Sequence, residues 1–121
     1  MNVDVVRVNN GKYNVHVISN DEYIGPCIAN GHEWDGWMRD DIQKYYKNET
    51  DIIDIGANIG YNTLMFSDYG PVHTFEPVYY DLVDANIKSN NLKHNVFLYA
   101  HALSNVSVET TISVSYTHLT L

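Results

Sequence analysis

The sequence predicts an α/β fold: three strands of a parallel sheet alternating with helices, behind an N-terminal β-hairpin and helix. Three observations carry this expectation. Residues 51–55, Asp-Ile-Ile-Asp-Ile, are apolar and β-branched and run into a turn containing Gly56 and Gly60. Gly70-Pro71 then breaks the chain ahead of a second apolar run, Val72–Phe75. Upstream, Val3–Val8 and residues 12–19 alternate apolar and polar side chains around Asn9-Asn10-Gly11, the pattern of an antiparallel hairpin.

The elements follow in order. After the hairpin, Asn20-Asp21-Glu22 reads as a turn, and residues 23–31 read as irregular because Gly25-Pro26 interrupts them. Residues 35–46 read as a helix with Asp35 as its cap and Trp37, Met38, Ile42 and Tyr45 or Tyr46 on one stripe. Residues 51–55 form the first strand of the sheet, expected to be covered on both faces. Residues 59–68 form a short helix with Ile59, Leu64, Met65 and Phe66 as its apolar positions. Val72–Phe75 is the second strand. Residues 77–90 form the next helix, with Tyr80, Leu82, Val83 and Ile87 turned inward and Asn90-Asn91 closing it. Residues 96–100 form the third strand, and residues 109–114 are β-prone.

Function concentrates at the first turn. Glycines there allow tight turning and close approach of backbone to a ligand. The helix that follows turns its free N–H groups toward the turn, which favours a bound carboxylate or other anion. Glu76 stands at the carboxyl end of the second strand, where ligands bind in open α/β sheets. It follows the first glycine by about twenty residues, the spacing at which an acidic side chain meets a ribose. A carboxylate in that position can accept hydrogen bonds from both ribose hydroxyls.

Composition narrows the partners. The chain has 121 residues, with Lys+Arg 7 against Asp+Glu 15 and a net charge of −8. That balance argues against nucleic acid or an anionic membrane surface, both of which need clustered cations. No apolar run reaches membrane-spanning length. The first residues, Met-Asn-Val-Asp-Val-Val-Arg, lack a basic segment followed by an apolar block, so no signal peptide is expected. Cys27 is alone, which excludes an internal disulfide and fits a reduced, cytoplasmic setting; a packed side chain is the expectation for it. Six scattered histidines give no ligand spacing, so no metal site is expected. His101 reads as an exposed loop residue beside the third strand.

The string Asp54-Ile-Gly-Ala-Asn-Ile-Gly-Tyr-Asn-Thr63 followed by Thr74-Phe-Glu-Pro77 resembles the FkbM-type methyltransferases. The likeness runs from about residue 22 to about residue 113 and includes Asn86, Asn91 and Ala102-Leu103-Ser104. The resemblance implies the first three strands of a Rossmann-like class I methyltransferase core, with S-adenosylmethionine as cofactor. It implies that Asp54, Gly56, Ala57, Asn58 and Gly60 line the methionine end of the cofactor, that Glu76 holds the ribose, and that Ala102 lies near the adenine. Asn62 and Thr63 are secondary candidates for the cofactor carboxylate; both also read as helix-capping residues. Glu33 and Trp34 match a family position loosely, Trp34 reading as packing. The implied reaction is O-methylation of a sugar or small metabolite, so the partner is a small-molecule or glycan acceptor. The family's extension ahead of the core covers part of the cofactor cleft, and an extra antiparallel strand often follows the third strand.

Two other classes remain. A dinucleotide-binding oxidoreductase or epimerase also places an acidic residue on a ribose. It is disfavoured by Asn58 where a glycine would admit pyrophosphate, and by the charge of Asp54. A non-catalytic binding module is the third reading. The family's fourth-strand motif, of the type K-x-D-x-E-G-x-E, is missing here, so no catalytic residue can be named and the chain is expected to be inactive alone. Residues 114–121 back-translate to GTC TCT TAT ACA CAT CTG ACG CTG, which resembles a transposon-type sequencing adapter; the native frame is expected to end near Ser113. The expected organisation is therefore an extension over 1–50, a partial cofactor-binding domain over 51–113 and a non-native tail over 114–121.

Overall fold

Alternation of side chains first builds the hairpin. The computed structural model describes residues 3–8 and 11–112. β1 (Val3–Val8) pairs antiparallel with β2 (Tyr13–Ile18) in the register Val3↔Ile18 to Val8↔Tyr13. Asn9 and Asn10 of the expected turn lie outside the described residues; Gly11 takes the left-handed conformation, with φ of 88°. Tyr13, Val15 and Val17 turn inward together, as the period of two requires.

Next come two helices, α1 (Ile24–Ala29) and α2 (Trp37–Tyr45). The parallel unit follows as β3 (Ile52–Ile55), α3 (Tyr61–Ser67), β4 (Val72–Phe75), α4 (Tyr80–Lys88) and β5 (Val96–Tyr99). The three strands form a parallel sheet in the order β3-β4-β5, separate from the hairpin. The fold is thus α/β, with a parallel sheet, a helical layer of α3 and α4, and the hairpin with α1 beyond them. No helix among the described residues is long and apolar enough to cross a membrane.

The main core lies between the hairpin and the α3–α4 layer. Val15, Ile28 and Leu64 are fully buried there, and Tyr13 meets Tyr61 edge to face with ring centroids 6.1 Å apart. Polar ties supplement it. Asn86 on α4 and Asn90, four residues later and just past the helix end, each bind the backbone of one β2 residue. Asn86 Oδ1 accepts the His16 N–H at 2.5 Å and its Nδ2 donates to the His16 carbonyl at 3.1 Å. Asn90 does the same for Asn14, at 2.8 Å in both directions. Asp68, at the end of α3, receives Lys12 Nζ at 2.7 Å, Arg39 at 3.2 Å and the Tyr13 hydroxyl. Burial, and next the bond to Asp68, push the Tyr13 phenol well above its ordinary pKa.

Four expectations need correction. Residues 24–29 are helical, not irregular. Pro26 stands in the first turn, where its missing N–H is no loss, and Asp21 accepts the N–H groups of Tyr23 at 3.0 Å and Gly25 at 2.6 Å. Asp35 does not cap α2: it adopts φ of 52°, and the helix starts after Gly36 with no side-chain cap. The apolar stripe of α2 is not buried; Trp37 and Tyr45 are 60% and 68% exposed. Finally, among the described residues the parallel sheet is covered on one face only. Val72 and Thr74 are buried under the helices, while Ile53 and Ile55 on the other face are 64% and 65% exposed. Phe75, Phe97, Tyr99 and His73 share that bare face in a stacked row.

The remaining elements match within one to three residues at each end. Of the β-prone segment 109–114, residues 109–112 form no strand and are exposed, and residues 113–114 lie outside the described residues, as does the tail 114–121. Trp34 packs against the core as expected, whereas Glu33 pairs with Arg39 at 2.8 Å. Cys27 is half-buried, and burial raises its thiol pKa.

The one-sided sheet makes two substitutions diverge. Leu64→Ala, in the packed layer, is expected to lower unfolding free energy by about 2–5 kcal/mol. Ile53→Thr, on the bare face, is expected to change it by less than about 0.5 kcal/mol. Urea unfolding of both variants measures this, and equal losses would show that the bare face is covered in solution.

Candidate functional site

A β-strand that stops short of a helix must turn its chain over the sheet edge, and left-handed residues make that turn here. Gly56, Asn58 and Gly60 have φ of 75°, 58° and 93°. Gly56 N–H and Ala57 N–H both donate to the Phe75 carbonyl, at 2.9 and 3.2 Å, which lays the turn across the end of β4. The two glycines serve different needs. A Cβ on Gly60 would meet Val83 Cγ1 at 3.1 Å, so this position lets α3 approach α4. A Cβ on Gly56 would meet nothing within 4 Å, so the space above it is open.

That space is a cavity of about 320 Å³ at the carboxyl ends of the strands. Ile55, Gly56 and Asn58 form one wall and Phe75, Glu76 and Pro77 the floor. Val78 and Tyr79 continue it along the start of α4. His101, Ala102, Leu103 and Ile112 close the far side. The size lies at the lower end of small-molecule sites. Among the described residues no Lys or Arg lines it, and Glu76 is its one carboxylate.

Glu76 is only 6% exposed, yet its carboxylate is well supplied with donors. Oε1 accepts the Asn58 N–H at 2.9 Å. Oε2 accepts the N–H groups of Val78 at 2.7 Å and Tyr79 at 3.0 Å. A carboxylate has about four acceptor positions, so three are engaged and one remains, on Oε1.

The predicted site residues therefore divide. Gly56, Asn58, Glu76 and Ala102 come together around the cavity. Gly60 and Ala57 are buried in the turn behind it. Asp54 faces the helical layer instead, where Oδ2 accepts the Thr63 hydroxyl at 2.6 Å and lies 3.4 Å from the Thr74 hydroxyl. Thr63 is fully buried in that contact. Asn62 Nδ2 donates to Asp35 at 3.3 Å. His101 lines the cavity, a role its sequence context did not favour. The walls from Phe75, Pro77, Val78, Tyr79, Leu103 and Ile112 were not singled out as a site; their signal is position, since residues just past parallel strands form the ligand crevice.

Burial raises the Asp54 pKa above its ordinary value; the hydrogen bonds from Thr63 and Thr74 oppose this, and the charge of Glu76 adds to it. Its carboxylate thus lies beneath the turn, against Thr63 and Thr74. The cavity offers a carboxylate and, among the described residues, no Lys or Arg, a lining that disfavours a pyrophosphate.

Comparison of the chain with protein-family models, with curated proteins and with solved structures found no match.

Two outcomes follow from this geometry. Gly60→Ala forces a side chain onto a left-handed residue against Val83, and is expected to cost about 1–3 kcal/mol in chemical denaturation. Gly56→Ala lacks the steric part of that penalty, so a larger loss at Gly56 than at Gly60 would contradict the packing described. For Asp54, the folded-state pKa is raised, so its contribution to stability is complete below the unfolded value and declines as pH rises through the folded one. Asp54→Asn keeps an acceptor for Thr63 without the charge. Its melting temperature relative to wild type should rise between pH 4 and pH 8, and a pH-independent difference would contradict the burial argument.

Proposed function

We propose that this chain is the cofactor-binding part of an S-adenosylmethionine-dependent methyltransferase of the FkbM type, with its sheet as the first three strands of a Rossmann-like class I core. The observation that carries this reading is Glu76 just past β4, buried in the lining of a cavity that contains no Lys or Arg among the described residues. A ribose hydroxyl is the natural donor to the remaining position on Oε1. Ile55, Phe75, Val78 and Leu103 offer apolar surface to a flat base, with Ala102 beside them. A cofactor with a sulfonium and an ammonium group suits a carboxylate-bearing site better than a doubly anionic pyrophosphate does.

Bound here, S-adenosylmethionine supplies an electrophilic methyl group. The residues of this chain hold and orient it, so their contribution to transfer is proximity. In this reading the acceptor is a sugar or small-metabolite hydroxyl, and the setting is the reduced cytoplasm that the lone Cys27 fits. No residue of the cavity is assigned as a general base. The chain by itself is proposed to bind cofactor without turnover.

Calorimetric titration with S-adenosylhomocysteine tests this, with NAD and Glu76→Gln in parallel and melting temperatures measured alongside. Saturable binding is expected, weakened about tenfold or more in Glu76→Gln, the scale for losing a hydrogen bond to a charged group. NAD should not bind. Binding of NAD alone would replace the proposal with a dinucleotide enzyme, and a folded chain that binds neither would leave a binding module.

A further inference from the structure

A side-chain amide has two donors and an acceptor oxygen, so a buried asparagine can tie together more than two segments. Asn86 on α4 and Asn90, two residues past its end, bind β2 in the same manner, each capturing the N–H and the carbonyl of one residue. A four-residue step at the helical rise is about 6 Å and two strand residues span about 6.8 Å, so an i, i+4 pair that starts in the helix can match Asn14 and His16. Each amide makes one further bond, and the two differ in where it goes. Asn90 Nδ2 also donates to the Asn86 carbonyl at 2.7 Å, whereas Asn86 Nδ2 also donates to the Ile59 carbonyl, in the turn, at 2.6 Å. Ile59 lies between Asn58 and Gly60, both left-handed, and the Asn58 N–H is the one held by Glu76. Asn86 is fully buried, so its removal leaves a backbone carbonyl in the core without that donor.

We propose that Asn86 is a positioning residue that sets the conformation of the 56–60 turn and couples it to the N-terminal hairpin. Asn86 touches no cavity ligand; it acts through Ile59. The hairpin then belongs to the support of the site, and coupling is reciprocal: a ligand that orders the turn also tightens β2, and a loosened β2 weakens the ligand. The ligand half of this statement rests on the proposed cofactor; the structural half does not.

Asn90→Ala is the matched control, because it breaks the corresponding two bonds to β2 and a third to the Asn86 carbonyl, but none to the turn. Amide hydrogen exchange and S-adenosylhomocysteine calorimetry would be measured on wild type, Asn86→Ala and Asn90→Ala. Asn86→Ala is expected to speed exchange of the Asn58 and Gly60 amides and to weaken the ligand, each by about tenfold, within the usual range of coupling between sites. Asn90→Ala should leave both within about twofold of wild type at a similar loss of melting temperature. Equal effects of the two variants on the turn amides would overturn the proposal and reduce Asn86 to a general packing role. Faster exchange in Asn86→Ala alone, with no ligand bound by wild type, would sustain the positioning role and count against the cofactor. If Asn86→Ala does not fold, Asn86→Ser serves in its place, and unchanged exchange at the turn in that variant would equally overturn the proposal.

Discussion

Three segments that meet nowhere else in sequence meet at Glu76. Its carboxylate holds the turn after β3 through Asn58, and the residues leading into α4 through Val78 and Tyr79. Its backbone N–H donates to the Tyr99 carbonyl at 3.1 Å, which fixes the end of β5 as well. A buried carboxylate is costly unless donors surround it. Here the backbone supplies them, and the need to supply them sets where the turn lies and where α4 begins. The cavity is the space left beside that arrangement. The same group thus shapes the local fold and lines the cavity.

Much of this was legible in the chain, for identifiable reasons. Short apolar runs bounded by Gly56 and by Gly70-Pro71 located β3 and β4, and strand polarity then placed Glu76 at the ligand end. The side on which Asp54 points was not legible. Residues 51–55 are apolar on both sides of that aspartate, so the period of two has no phase to read, and only Thr63 and Thr74 in the folded chain settle it. α1 was hidden because Gly25-Pro26 reads as a breaker, whereas Asp21 four residues before Gly25 turns the same dipeptide into a first helical turn. Asn86 interrupts an apolar stripe; the signal for its role was its pairing with Asn90 four residues later.

The hairpin is attached by two kinds of force with different sensitivities. Asp68 gathers Lys12 and Arg39, which are two of only seven basic side chains in a chain of net charge −8. Interactions of that type weaken as salt shortens the Debye length, more so where exposed, as at Lys12. The asparagine amides carry no net charge and are buried or half-buried. Ionic strength therefore acts first at the α2–α3 corner and leaves the β2–α4 seam in place. By contrast the bare sheet face is small: three strands of four residues project roughly 190 Å², from about 4.8 Å between strands and about 3.3 Å per residue. Stable protein interfaces bury about 800 Å² on each side.

Handedness gives that bare face a direction. Right-handed crossovers from β3 to β4 and from β4 to β5 place both connecting helices on one side of the sheet. Among the described residues the outer edge of β3 is unpaired and lies opposite to that progression, beside the face from which Ile53 and Ile55 project. A parallel strand added there, and reached from β5 by the same right-handed rule, reverses the direction of travel and carries its helix across the other side. Chirality of the backbone thus pairs the vacant edge with the uncovered face: whatever extends the sheet beyond β3 in this manner also roofs the row from His73 to Tyr99, and the point of reversal falls beside the cavity.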